Sequence, residues 1–476
     1  MRRRPTITAA AIVLSIAVIG AGTWALSQWQ PFKHEPATIA WPNNVQPIVD
    51  FIEVSTDLDF RSSIDFEYIA SVDDYNDRAR DPQRELSQDD RDANAVDEAA
   101  GRALGLWVGD TSFTESSEAI NNAAPRPVRW LPDADVVLIH AVDDKADLSP
   151  AVRADLVVYL TQALINQNFH LIDRREAAAT SQGFDSIAAV QIGYALLIRD
   201  RYIADLSDTE QQQYDTETAE QSQAYTNSVD SVPATYKAIQ IAFQILGSVF
   251  MTALDEDDPS LTLEALSTRV PVALDQVSLP AAKYVRNDPL ETVSAPPAPA
   301  DATLRYSEQI GAFRLFLMFA SGLPANEALT ASDGWGNDRF TVYELAGRVC
   351  TDMHVVADSP DDADRMERAF NGWAFARPSN ADALVGREGV NLYASVCDPG
   401  ADAQQSVPGE NEVNQYFGRA NLLQYEATST GKPDLAECIA TDLYAQFTFD
   451  QIASGVPDSE LEAAYSTIED DCRNSL

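Results

Sequence analysis

The chain has 476 residues, enough for two or three domains, and its apolar content of 45% is ordinary for a globular protein. Its charge is not ordinary: 33 Lys and Arg stand against 74 Asp and Glu, a net −41. Nucleic acid and anionic lipid headgroups would be repelled, so both are disfavoured as partners, while a cation or a basic partner is favoured.

The chain opens on "MRRRP", and no charged residue follows between Arg4 and Lys33. That run is long enough to cross a bilayer as a helix. The arginines predict a cytoplasmic N-terminus, with Trp24 and Trp29 at the far interface. No clean signal-peptidase site follows the run, so the expectation is an uncleaved anchor over residues 1–34 and an extracytoplasmic remainder.

Val45, Ile48, Phe51 and Ile52 recur at helical spacing, and Ile64, Phe66 and Tyr68 then alternate like a strand. Asp73–Glu98 carries ten acids and four arginines and reads as solvated helix. Within it, "DRDANAVDEAAG" fails as a calcium loop, because Ala95 and Gly101 occupy the positions that need Gly and Glu. "VRWLPDADVVLIHAV" reads as strand, turn, strand. "LSPAVRADLVVYLTQALINQ" reads as a helix with Ser149 at its N-cap and Pro150 in its first turn. Phe184–Ser207 is a further long helix, and Asp208–Asp230 a polar helix plus loop. Ala238–Leu254 is apolar but interrupted by Gln240 and Gln244, so a buried core helix is expected there.

After a Pro-rich crossing, Asn287–Asp301, the segment Arg339–Asp358 reads as a hairpin turning at Ala346-Gly347. A capped helix and the strand "GVNLYASVC" complete a small β-β-α-β unit. Asp398–Glu412 reads as a linker, and the remainder as wholly helical. The four cysteines, Cys350, Cys397, Cys438 and Cys472, form no C-x-x-C pair. Their even number in an exported chain points to disulfides. Three pairings are open, of which Cys350–Cys397 with Cys438–Cys472 keeps each bond within one module.

Several segments, in order over about residues 43–400, resemble a bacterial family of zincin-like neutral zinc metallopeptidases. "LSPAVRADLVVYLTQALINQNFHL" is similar to the family's active-site helix, matching at Leu148, Pro150, Arg153, Leu156, Val157, Leu160, Thr161, Ala163, Leu164, Gln167, Phe169 and Leu171. "AAVQIGYALLIRDRYIADLS" resembles the helix that carries the third ligand, matching at Gly193, Ala195, Arg201 and Tyr202. "GWGNDRF" resembles a Gly-Trp-Gly-Gly-Asp-Arg element near the family's end. The departures fall on the chemistry. Val158 and Gln162 stand where the resemblance implies the two histidines of H-E-x-x-H, Tyr159 where it implies the general base, Ile192 where it implies the third ligand, and Tyr194 at that ligand's acidic neighbour. The four histidines, His34, His140, His170 and His354, recreate no i, i+4 pair.

The fold expected is therefore α+β and mostly helical. It comprises a transmembrane helix (1–34), a zincin-like, inactive peptidase-type domain (35–286), a Pro-rich crossing with the β-β-α-β unit (287–400) and a helical C-terminal module (401–476). The expected protein is a membrane-anchored pseudopeptidase without catalytic residues, metal or cofactor. It would act as a binding or scaffold module for an envelope protein or peptide. Val136, Val137, Leu138, Ile139 and His140 are the expected edge strand for a peptide. An active hydrolase built on other residues, and a purely structural ectodomain of a membrane complex, are the alternatives.

Overall fold

The structure is a computed structural model and describes residues 39–79, 87–110, 112–122 and 127–476. The expected membrane anchor, with His34, lies outside the described residues.

The first half is a small sheet on a stack of helices: α1 (Gln46–Thr56), β1 (Asp65–Tyr68), α2 (Val72–Ala79), α3 (Gln88–Leu104), α4 (Phe113–Asn122), β2 (Val128–Leu131), β3 (Val136–Ile139), α5 (Pro150–Phe169), α6 (Leu171–Glu176), α7 (Ser181–Ala204), α8 (Asp208–Ser228), α9 (Ala234–Asp257), α10 (Pro259–Ser267) and α11 (Leu274–Ser278). The strand order is β1-β3-β2, with β1 parallel and β2 antiparallel to β3. This corrects the expected peptide edge. Val136, Val137, Leu138 and Ile139 form the middle strand, paired on both sides, and His140 follows it, its N–H bonded to the Pro127 carbonyl. A fully paired strand has no backbone groups left for a ligand. The edge that packs on α5 is β2.

A short π-helical turn, Pro280–Val285, leads into an extended Pro-rich stretch and then β4 (Thr303–Glu308), α12 (Gly311–Ala320), α13 (Ala325–Asp333), β5 (Trp335–Leu345), β6 (Arg348–Ala357), α14 (Pro360–Phe375), β7 (Leu384–Glu388) and β8 (Asn391–Cys397). The sheet order is β4-β5-β6-β8-β7. The β-β-α-β unit is thus larger than its sequence suggested. β4 pairs on β5, and β7 forms a second hairpin with β8 through the left-handed Gly389. Both added strands are edges with exposed residues, so they lack the apolar alternation that marks a buried strand. The β5–β6 hairpin turns at Ala346-Gly347 with both residues at positive φ, as a two-residue turn matching strand twist requires.

The Pro-rich stretch lies over the face of β5 and β6 opposite α14. The Pro296 carbonyl accepts from Thr341 Oγ1 at 2.7 Å, and the Ser294 carbonyl sits 3.3 Å from His354 Nδ1. The chain ends in α15 (Glu410–Thr430), α16 (Pro433–Gln446) and α17 (Asp458–Ser475). Disulfides join Cys350 to Cys397, across β6 and β8, and Cys438 to Cys472, across α16 and α17.

One hydrophobic cluster runs from Val45 to Tyr444, so the boundaries expected near residues 286 and 400 fall in coil but do not divide the core. Its axis is α9, packed against α7 and α15. Among the described residues α9 is the one helix long and apolar enough to span a membrane by length and composition, and half of that stretch is buried inside the protein. Its contact with α7 depends on two glycines. A Cβ on Gly193 would lie 2.1 Å from the Gly247 carbonyl oxygen, and one on Gly247 would lie 2.1 Å from that of Ala189.

Candidate functional site

α5 begins at Pro150, with Ser149 at the N-cap position. The Ser149 side chain makes no capping bond. Instead Glu217, on α8, accepts from the Ala151 N–H at 3.2 Å and so caps α5 from outside. The helix then runs for 20 residues to His170, which closes it in the left-handed conformation. Arg153, on its first turn, is tied to Glu210 of α8 at 2.5 Å, and Arg201 of α7 to Asp255 of α9 at 2.6 Å. Hydrogen bonds from Ser207 and then Arg153 draw the Glu210 carboxyl down to about 2. The arginines matched in the resemblance are therefore braces between helices.

With α5, α7, α9 and α15 held side by side, Val158 and Tyr159 meet Ile192 in the wall of one open hollow of about 310 Å³. Leu196 and Ile245 add to its apolar floor. Asp155, Arg199, Gln244, Ser248, Asn421 and Gln424 supply polar rim groups. Gln424 Nε2 donates to Thr252 Oγ1 at 3.0 Å, and Arg199 forks onto Asp200 at 2.6 and 2.9 Å.

Two of the five expected positions fall elsewhere. Gln162 is half-buried but outside this wall. Tyr194 is 4% exposed in the core, its hydroxyl pushed up to about 12 by burial. Two residues of helix separate Ile192 from Tyr194, a turn of roughly 200°, so they cannot share a wall.

The three histidines among the described residues stay apart. His140 Nε2 meets the Ala70 carbonyl at 3.2 Å, His170 is exposed beside Asp173, and His354 stacks on Tyr393 at 4.6 Å. Among the described residues, the one group of His, Cys, Asp or Glu side chains close enough to share a metal is Cys438, Asp442 and Cys472. Both of its thiols are committed to a disulfide. Valine and isoleucine hold no metal, so the positions that the resemblance assigns to ligands supply none, and Asp155 is the one carboxylate in the lining of the hollow.

Tyr75 of α2 borders this region. It is 2% exposed and its hydroxyl has no hydrogen-bond partner. Burial drives its pKa far above the ordinary value, and the neighbouring Tyr159 adds to this while Arg129 of β2 opposes it. Tyr75 therefore marks where β2 approaches α5.

Sequence reasoning missed the interior carboxyls. Asp338, in the "GWGNDRF" element, is 0% exposed. It accepts from the Ile310 and Gly311 N–H groups at 2.8 Å each and from Trp335 Nε1 at 2.9 Å. It thereby caps α12, where Gly311 adopts positive φ. Burial lifts its carboxyl to about 6 against those donors. The readable signal was a lone acid among aromatic and glycine residues.

No curated protein and no solved structure matches this chain. A family model described as a domain of unknown function, DUF8575, matches residues 302–413, from the start of the five-stranded sheet to the first turn of α15.

Proposed function

We propose that the chain is a non-catalytic, peptide-binding module tethered to the outer side of a cytoplasmic membrane, on a frame like that of a zinc metallopeptidase. One observation carries the reading. Val158 and Tyr159 of α5 and Ile192 of α7 line one hollow, and the two apolar side chains stand where the resemblance implies zinc ligands but have no atom to bind a metal. The peptide joins the outer edge of β2 in extended form and lays side chains across α5 toward the hollow. Its charge is neutral or basic, to suit a chain of −41. The uncharged run behind three arginines supports the tether, and two disulfides suit an oxidising compartment.

Panning a random peptide library on the purified chain tests this. Enrichment of extended, non-acidic peptides, abolished by Trp130→Pro on β2 in a variant that still unfolds cooperatively, is the expected result. Absence of any enriched peptide removes the binding reading. Stoichiometric zinc by elemental analysis, lost on mutating His140 or His170, would instead show an active metal site.

A further inference from the structure

Where the first half, the five-stranded sheet and the C-terminal helices meet, the interior is charged. Lys283, on the π-helical turn, is 7% exposed. Its Nζ lies 2.8 Å from Asp288 Oδ2 and 3.7 Å from Asp275 Oδ2, and it donates to Asp358 at the end of β6. Asp275, on α11, is 2% exposed, and its Oδ1 has no hydrogen-bond partner. On the far side Arg419 of α15, 3% exposed, holds both oxygens of Asp333 of α13 at 2.6 and 2.7 Å. Glu437 of α16, 6% exposed, accepts from the Ala281 and Ala282 N–H groups at 2.8 and 2.9 Å.

Five carboxyls, Asp275, Asp288, Asp333, Asp358 and Glu437, thus face two cations, Lys283 and Arg419. Asp362 faces Asp358 and is itself paired with Arg365, and Asp434 faces Glu437, so these neighbours bring two further carboxyls and one further cation. Tyr416 of α15 lies against Arg419, Asp275 and Asp333 and brings no cation. A buried excess of like charge is costly, and protons relieve it.

We propose that this joint is a proton-held latch: Asp275 carries a proton while α15 and α16 are docked, and its ionisation loosens these helices from the core. The unpartnered Oδ1 of Asp275 fits a neutral acid better than a carboxylate, whose buried lone pairs demand donors. The electrostatics agree. Burial raises Asp275 to about 8 against the opposing charge of Lys283. That value lies above the unfolded one, so docking is favoured at low pH and weakens as pH rises toward about 8.

Hydrogen exchange on the full chain at pH 6 and pH 9 tests the latch, corrected for intrinsic exchange, in about 1 M salt so that surface repulsion is screened. Peptides covering residues 410–446 are expected to open at least about tenfold more readily at pH 9, a shift equal to one pKa unit. Asp275→Asn should abolish that difference. Asp338→Asn, which alters a buried carboxyl outside the joint, should leave it intact. Equal protection at both pH values in the wild type overturns the proposal whether or not the variants fold, as does an undiminished difference in Asp275→Asn.

Discussion

Val158 is 6% exposed in the wall of the hollow, so a histidine placed there tests how that wall is packed. Val158→His places an imidazole without a partner in an apolar wall, costing about 1–3 kcal/mol. Ile192→Glu should cost more, since the new carboxyl must ionise without a partner or stay protonated. The combined Val158→His, Tyr159→Glu, Ile192→Glu chain, altered only at positions that line the hollow, should regain stability on adding zinc, read as a rise in melting temperature absent from the wild type. Zinc indifference in a folded triple variant would show that the three side chains do not converge. The contrast between Ile192 and Tyr194 marks what was readable at this scale. Their identities follow from alignment to a motif, but which one faces the hollow depends on the helix beside them. Asp275 was unreadable for the same reason. In "PVALDQVSLPAAKYV" it looks like the polar side of a helix, and what buries it, together with the opposing charges of Asp358 and Asp333, comes from distant segments.

Gly193 and Gly247 set the separation of α7 and α9. Gly193→Ala forces backbone against backbone, which no rotamer change relieves. The expected loss is about 3 kcal/mol, the upper part of the range for overpacking, seen as a lower denaturation midpoint. The disulfides close loops of 47 and 34 residues. On the loop-entropy model each stabilises by about 4 kcal/mol. Cys438→Ser with Cys472→Ser should therefore lower the melting temperature, while mass mapping of the wild type should recover both links. Free thiols in chain isolated from the envelope would count against an exported location. Most helices were legible because their apolar residues recur at 3.6-residue spacing. The order of strands was not. β3 looks like an edge in "VVLIHAV" until β1, more than 60 residues earlier, returns parallel to it, and local patterning does not encode such a crossover.

For the whole molecule, 74 acids against 33 basic residues, only five of them lysines, create strong self-repulsion in the compact state. Salt screens it, so the melting temperature should climb from low salt to about 1 M, where the screening length falls to roughly 3 Å. Acidity should act in the same direction. Asp275, Asp338 and Glu437 are raised to about 8, 6 and 7, so the folded state binds their protons more tightly than the unfolded chain. Stability is then largest in mild acid and falls between about pH 5 and pH 8. Below pH 4 the trend reverses, because Glu210, drawn down to about 2, loses its native contacts on protonation. Urea titrations across pH 3–9 at fixed high salt check the shape, and a flat profile above pH 5 would contradict the buried-carboxyl account. Composition made the salt response legible. The single core was not legible, because a Pro-rich crossing and a polar linker look like domain boundaries whether or not helices fold back across them.

The seat of α15 on α9 also has a consequence in time. The apolar α9 ends at Asp257, and α15 begins only at Glu410. At about 5–20 residues per second, a ribosome needs roughly 8–30 s to make the intervening chain. For that interval one long side of α9, a helix apolar enough by length and composition to enter a membrane, has no partner. The nascent chain is therefore expected to be prone to association until α15 emerges. A chain stopped at residue 409 should bind a hydrophobic dye and aggregate, while one that includes α15 and α16 should not.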